Sequence, residues 1–473
     1  MKKFTLLCLA LLTIQSSLSQ TTQKNRVIIL SDIEADPDDT QSFVRLFLYA
    51  NEIDIKGIVA TTSCWMQTTI NPNSIEKIVD AYGKIQPNLL KHQKDYPSAE
   101  ALRSIIKEGL PKYGMTGVGD GMDSEGSDWI ISELEKDDDR PLWISVWGGV
   151  NTLAQSLHKI KNTKSIKDAK KLISKLRVYT ISDQDDSGLW IRNNFPDVFY
   201  IVSPGDNYED ATWTGVNTFI KGIDNTTISN EWLADNIQQN HGPLGAIYPD
   251  VAWGVEGDTP AFLSLIPNGL NESEHPNWGS WGGRYELYKP DFSKTKKGNS
   301  IVEIGAEKRA IWTNTIDYYT PHIPSKYGRS VKPDSTSFTG FKETLWRWRD
   351  DFNNDFAARM DWCTMSFENA NHPPVPVLSH PQEFEVKSGQ AFTLDALDST
   401  DPDGDNLSFL WFHYPEESSY KEKINLGADN VHIVHVTAPK VTKKETLHFI
   451  LKVTDKGSPA LSRYKRVIVT VTP

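Results

Sequence analysis

The amino-acid sequence predicts two folded units: an α/β domain on a mostly parallel sheet with helices on both faces, then an all-β sandwich. Three observations predict this. Between Lys24 and about Ser203, short runs of aliphatic and β-branched residues alternate with segments of helical period. Those strand-like runs are apolar almost throughout, as strands covered on both faces must be. Beyond Asn371-His-Pro-Pro-Val-Pro the pattern changes to short alternating strands divided by turn residues, which fits a sandwich.

In order, Val27–Leu30 reads as the first strand and Thr40–Ala50 as the helix after it. Ile55–Ala60 precedes a helix near Ile75–Tyr82, Leu142–Trp147 precedes Asn151–His158, and Leu176–Ile181 precedes Gly188–Asn194, with Val198–Val202 following. Residues 204–310 are richer in Gly, Pro, Trp and Asn and read as long loops, the kind of segment that often carries function. Phe341–Met360 spaces Leu345, Trp348, Phe352 and Phe356 as one charged amphipathic helix that closes the domain. The later strands are expected at Phe392–Ala396, Leu407–Trp411, His432–Val436, His448–Val453 and Arg466–Val471.

The first twenty residues read as a secretory signal, with Lys2 and Lys3, an apolar stretch from Phe4 to Ile14, and Ser-Ser-Leu-Ser before Gln20. The expected divisions are therefore 1–20, 21–370 and 371–473. No later run approaches the roughly twenty apolar residues that span a bilayer, so a secreted or periplasmic, soluble protein is expected. A net charge of −12 argues against nucleic-acid binding by bulk electrostatics. Cys64 and Cys363 remain in the mature chain, enough for one disulfide but not for a disulfide framework. Fifteen tryptophans hint at sugar-stacking surfaces.

The densest chemical signal is Asp32-Ile-Glu34-Ala-Asp36-Pro-Asp38-Asp39, directly after the first strand. Acids at the C-terminal end of a buried parallel strand lie where open α/β sheets bind ligands. Five carboxylates crowded together repel one another unless a cation sits among them, and an oxygen-rich, nitrogen-poor set suits Ca²⁺ or Mg²⁺. The plainer account is a solvated turn in which Asp38 and Asp39 cap the next helix.

The spacing resembles nucleoside hydrolases, which open with a strand followed by Asp-x-Asp-x-x-x-Asp-Asp; this chain has Asp32-x-Glu34-x-x-x-Asp38-Asp39. The resemblance implies that Glu34 both touches the metal and activates water, reaching about one methylene further than the family's Asp. Val146-Trp147-Gly148-Gly149-Val150-Asn151-Thr152-Leu153 is similar to a strand-end segment whose backbone carbonyl ligates the metal, here that of Trp147. Glu256-Gly257-Asp258-Thr259-Pro260-Ala261 resembles the family's His-Asp-Pro-x-Ala segment, which makes Asp258 a distal ligand. Asp258 equally suits an N-cap before Pro260. The family's His, which helps a nucleobase leave, is Gly257 here, so simple nucleosides are expected to be poor substrates.

Ser182-Asp183-Gln184-Asp185-Asp186-Ser187 follows a strand, and Asn193-Asn194-Phe195 falls where the family has an Asn for ribose hydroxyls. In the run His275-Pro-Asn277-Trp278-Gly-Ser-Trp281-Gly-Gly-Arg284-Tyr285, Trp278, Trp281 and Arg284 are candidates to stack on and hydrogen-bond a sugar. In the second unit, Asp401-Pro-Asp403-Gly-Asp405 resembles an acidic turn of extracellular immunoglobulin-like modules, either a Ca²⁺ site or a solvated turn. Taken whole, the chain resembles secreted nucleoside-hydrolase-like proteins with a C-terminal immunoglobulin-like domain, often labelled cellulose-binding.

These resemblances imply a Ca²⁺-dependent glycosyl hydrolase that cleaves an N-glycosyl or furanosyl bond, acting on a pentose-like or other furanosyl sugar, with a larger carbohydrate or glycoconjugate expected as the substrate. Glu34, Asp39, Asp258 and the Trp147 carbonyl would hold the metal. Glu34, or else Asp36, would take the water's proton, Asp38 would bond a sugar hydroxyl, and Asp32 would orient the neighbouring acids. Asp185, Asp186 and Glu256 are the candidates for a leaving-group acid. The rival reading is a non-catalytic carbohydrate-binding protein with the same metal. An adhesion protein built around the sandwich leaves the acidic strand edge without a purpose.

Overall fold

The computed structural model describes residues 23–204, 208–291, 306–324 and 331–473. The expected signal segment, and part of the expected 204–310 loop region, lie outside the described residues. The first sheet has eight strands: β1 (Arg26–Ser31), β2 (Asp54–Ala60), β3 (Ile106–Glu108), β4 (Leu142–Val146), β5 (Leu176–Ser182), β6 (Phe199–Ser203), β7 (Tyr285–Tyr288) and β8 (Ile311–Asn314). Their order is β3-β2-β1-β4-β5-β6-β8-β7. Every neighbouring pair is parallel except β7 with β8.

β1 is buried along its whole length. Val27 and Ile29 face one apolar core with Phe43, Phe47 and Trp147, while Ile28 and Leu30 face the other with Ile144, Val146 and Val178. Alternate side chains of one strand thus feed two cores, which is why its sequence is apolar without alternation. The first helix, α1 (Asp38–Leu48), starts two residues earlier than its apolar period suggests, because Asp38 and Asp39 form its first turn.

The second unit has a four-stranded sheet in the order Glu383–Lys387, Ser462–Thr472, Glu445–Thr454, Ser408–His413, and a two-stranded sheet of Ala391–Asp395 with Ile433–Thr437. Trp411, Phe449, Leu451 and Val467 of the larger sheet pack with Leu394 and Val434 of the smaller. Glu383–Lys387 was not expected as a strand; its apolar residues are sparse, and it pairs in parallel with Ser462–Thr472 at the sheet edge.

The expected Phe341–Met360 helix is broken into Glu343–Trp346 and Arg349–Asp361. The second piece is not a surface helix. Phe352, Asp355 and Arg359 are all buried between the two units. Its charged face meets charged partners: Asp351 accepts from the Tyr464 hydroxyl and pairs with Lys452 at 2.5 Å, and Asp355 accepts from Tyr49 at 2.7 Å and pairs with Arg463 at 2.5 Å. Burial alone would raise the Asp355 carboxyl, but Arg463 and Arg359 outweigh it and hold it at about 2. Tyr414, Ile450 and Tyr464 of the second unit belong to the same apolar core as Trp281 and Phe352 of the first.

Cys64 and Cys363 are both buried and are not joined in a disulfide. Among the described residues no helix is long and apolar enough to cross a membrane.

Candidate functional site

β1 lies between β2 and β4, so the chain winds one way from β1 to β3 and the other way from β4 to β6. The two directions part between β1 and β4, and the crevice at the C-terminal ends of those strands is where such sheets take ligands. Asp32 leaves β1 there, and Trp147 leaves β4 beside it, its N–H donating to the Leu30 carbonyl at 2.8 Å.

The turn after β1 decides which acids enter the crevice. The Ala35 N–H donates to the Asp32 carbonyl at 3.0 Å, and Glu34, third in that turn, has φ of 81°. A left-handed residue at the third position of a tight turn stands where glycine or asparagine is favoured. Glu34 is exposed and does not line the pocket. This corrects its expected place as ligand and base: residue spacing counts positions, whereas the left-handed backbone redirects the side chain. Asp36 takes the place instead, its Oδ1 accepting the Asp38 N–H at 3.1 Å. A Glu34→Gly variant should therefore keep its full response to calcium and gain about 1 kcal/mol of stability from relief of the left-handed conformation. Thermal melts with and without calcium check it, and a lost calcium response would return Glu34 to the site.

Five carboxylates line the pocket: Asp32, Asp36, Asp38, Asp39 and Asp258. Asp36, Asp38 and Asp39 each present an oxygen within 4.8 Å of the others. Ser31 Oγ donates to Asp39 Oδ1, fixing that carboxylate from behind. Asp258 is buried, and its Oδ2 has no hydrogen-bond partner. Nor does it cap the short helix Pro260–Leu263, which has no side-chain cap. Among the described residues no lysine or arginine lines the pocket. Arg45, a nearby cation, is held by Glu256, the Phe352 carbonyl and Asn353.

Burial, reinforced by mutual repulsion, pushes Asp38, Asp39 and Asp258 well above the usual carboxylate range. Burial likewise pushes Asp32 up to about 6, against hydrogen bonding from Ser63. The sign for stability follows. The folded, cation-free pocket holds protons that the unfolded chain releases above about 3.8, so its contribution becomes more unfavourable as pH rises through and beyond 6. A bound cation replaces those protons. The rise in melting temperature given by calcium should therefore be several degrees larger at pH 8 than at pH 5; an equal shift at both would show that these acids do not face the ion.

Two glycines make the crowding possible. A Cβ on Gly148 would come within 2.5 Å of Asp32 Oδ1, and one on Gly257 within 2.6 Å of Asp38 Oδ2 and 3.2 Å of Trp213. No histidine fits at position 257, because the Asp38 carboxylate and the Trp213 ring take that space. Trp147 lines the pocket, and its carbonyl accepts from the Gln184 amide at 2.6 Å, which leaves it a second lone pair. Carboxylates, a carbonyl, no facing cation and an orphaned buried oxygen together fit a hard divalent ion. The pocket is small, about 70 Å³, enough for an ion with a few oxygen ligands. Trp65, Tyr208 and Trp213 complete its wall, and Tyr208 packs edge-on to Trp213 at 5.3 Å.

Other expected residues lie elsewhere. Asn193 and Asn194 end the helix Ser187–Asn194, about 12 Å along it from the strand edge, and do not line the pocket. Trp281 is buried and reaches the Tyr464 hydroxyl at 3.3 Å. Arg284 is buried against Asp317 and Glu417, and Trp278 stacks on His275 and packs against His448. All three belong to the seam between the two units rather than to a sugar-facing loop, because residues of the second unit, His448, Tyr464 and Glu417, pack on them. Asp185 holds the first N–H of two helices, accepting from Ser187 N at 2.9 Å and Asn151 N at 3.2 Å. Asp186 accepts from Met115 N, and Glu256 pairs with Arg45 while accepting from Tyr248 and Thr259. None of these three is placed to protonate a leaving group. In the second unit Asp403 accepts from His372 N at 2.6 Å and contacts His372 Nδ1 at 2.9 Å, tying the acidic turn to the linker.

Trp65, Tyr208 and Trp213 were not anticipated. Their only local signal is an aromatic beside polar residues in loops near the strand ends, which the seam tryptophans share.

Residues 26–285 match the family described as cellulose-binding Sde182, nucleoside hydrolase-like domain, and residues 391–471 match the cellulose-binding protein Sde0182 C-terminal domain. A nucleoside hydrolase-related hypothetical protein from Saccharophagus degradans, described as associated with carbohydrate metabolism, has a solved structure 36% identical to this chain. The match covers 95% of this chain and 100% of that one, with a TM-score of 0.79. The effector protein XOO4466 aligns over 62% of this chain and 87% of its own at 10% identity and a TM-score of 0.33, too distant to carry an argument. No curated protein matches the chain. With the matched family covering β1 to β6 and the acidic crevice at their edge, the chain belongs to the cellulose-binding Sde182 family, whose first domain is nucleoside hydrolase-like.

Proposed function

We propose that this is an exported, calcium-dependent glycosyl hydrolase that grips a neutral sugar by its hydroxyls. The convergence of five buried or half-buried carboxylates on one crevice, with Asp258 Oδ2 unpartnered, carries the reading. Asp39, Asp258 and the Trp147 carbonyl are the residues to hold the ion. Bound there, calcium supplies Lewis acidity, lowering the pKa of water and anchoring hydroxyl oxygens. In this reading Asp36 takes the water's proton, Asp38 accepts from a sugar hydroxyl, and Asp32, braced by Ser63, orients its neighbours. The ring of negative charge favours an oxocarbenium-like transition state. Trp65 and Trp213 offer flat apolar faces to the sugar ring.

A second reading, non-catalytic carbohydrate binding, is favoured by one observation: Asp185, Asp186 and Glu256 are engaged elsewhere and position 257 is Gly, so a poor leaving group finds no acid. Turnover separates the two. Glycosides and nucleosides incubated with the full chain, in calcium or in chelator, should release product only with calcium, and Asp36→Asn should lower kcat by about 100-fold or more. Calcium-dependent binding without any product release establishes the second reading.

A further inference from the structure

Two of the most exposed large apolar side chains stand beside this pocket, and neither has a partner that explains it. Trp253 is 91% exposed and Phe219 is 74% exposed. Their position follows from one amide. Gln41, two residues after Asp39 on α1, donates from Nε2 to the Pro249 carbonyl at 3.1 Å and accepts the Glu256 N–H on Oε1 at 2.9 Å. Both ends of the loop 249–256 are thus pinned over the start of α1, and Trp253 stands at its middle. The next residue, Gly254, lies so close to Asn217 that a Cβ would come within 2.5 Å of the Asn217 amide. Asn217 follows the short helix Thr212–Val216, which carries the pocket residue Trp213, and precedes Phe219 by two residues. Trp253 and Phe219 therefore rise from two loops that meet beside the pocket wall.

We propose that Trp253 and Phe219 form an outer platform for the flat face of an extended, neutral, β-linked glucan chain whose end enters the acidic pocket. The inference rests on the carbohydrate reading of that pocket and deepens it. A pocket of about 70 Å³ does not enclose an oligosaccharide, so further sugar units must lie outside its mouth, where these rings stand. Exposed planar rings on loops, with no cationic side chain among the described residues of the pocket beside them, select a ligand by dispersion and C–H contacts rather than by charge. Five carboxylates and a net charge of −12 disfavour uronic acids, sulfated glycans and nucleic acids. Sugars joined by equatorial β-linkages keep their axial C–H bonds on both ring faces, the surface that an indole or phenyl ring covers.

The test uses the full chain with a soluble neutral cellulose derivative, measured by affinity electrophoresis in calcium, beside a thermal melt with and without calcium. Trp253→Ala with Phe219→Ala should weaken polymer binding by tenfold or more and leave the calcium-induced melting shift unchanged; Trp253→Tyr should retain most of the binding. Wild-type retention by the double alanine variant overturns the platform, as does a wild-type protein that shows the calcium shift but no polymer binding. A change from dimer to monomer in the double variant, seen by light scattering, overturns it in favour of a second copy as occupant. Loss of the calcium shift in the wild type instead rejects the pocket reading, and the platform then stands or falls on the polymer result alone.

Discussion

Replacing Asp258 by Asn is expected to raise the melting temperature of the calcium-free protein and to abolish its stabilisation by calcium. The two effects share one cause. Asp258 is buried among four other acids, and its Oδ2 meets no donor. An amide of the same shape removes one of the repelling charges and the cost of burying it, a gain on the order of 1–3 kcal/mol when no ion is present. The same change deletes a charged ligand, so calcium affinity should fall by about 100-fold or more. Differential scanning calorimetry of both proteins, in chelator and in millimolar calcium, reads both effects. A variant less stable than the parent in chelator, with its calcium shift intact, would mean that Asp258 serves packing alone.

The second large effect is expected at the seam. A chain ending at residue 370 should fail to yield a stable, soluble domain, because Asp355 loses Arg463, Asp351 loses Lys452 and Tyr464, and Asp317 loses Tyr414. The apolar core shared by Trp281, Phe352 and Tyr464 is opened at the same time. In the full chain, Arg463→Ala alone should cost about 3–5 kcal/mol, since it leaves Asp355 with Arg359 as its remaining charge partner in a buried place. Urea unfolding followed by tryptophan fluorescence and by circular dichroism should give one coincident transition for the whole protein. Two separated transitions, or a truncated chain that melts like the parent, would show that the seam holds less than its contacts suggest.

Local pattern made the first sheet legible. Val27–Leu30 is apolar because both faces are covered, and the acids that end it mark the crevice where the strand order reverses. The same reasoning failed at Glu34, where the deciding quantity is a backbone angle rather than a residue type. It failed again at Trp278, Trp281 and Arg284. A tryptophan flanked by glycines looks sugar-facing when its partners are unknown, and here the partners, His448, Tyr464 and Glu417, come well over a hundred residues later. Asp185, Asp186 and Glu256 looked available for acid catalysis because their bonds to helix N–H groups and the Arg45 pair depend on tertiary contacts. The closing helix misled in the opposite way. Its charged residues suggested a wet face, but Asp351, Asp355 and Arg359 are buried with partners of opposite charge or with hydroxyls. The aromatic wall of Trp65, Tyr208 and Trp213 rests on one loop residue and two short helical turns that nothing local distinguishes from core.

The seam also bears on the order in which the molecule can be made. Arg463, Tyr464 and Arg466, which close the first unit's buried face, all lie on the strand Ser462–Thr472, the last strand described. A ribosome delivers that strand only after everything before it has emerged, so the α/β unit waits, with Trp281 and the Arg349–Asp361 helix uncovered, until Ser462–Thr472 has followed it. The first unit's folding is therefore completed together with the second unit's rather than before it.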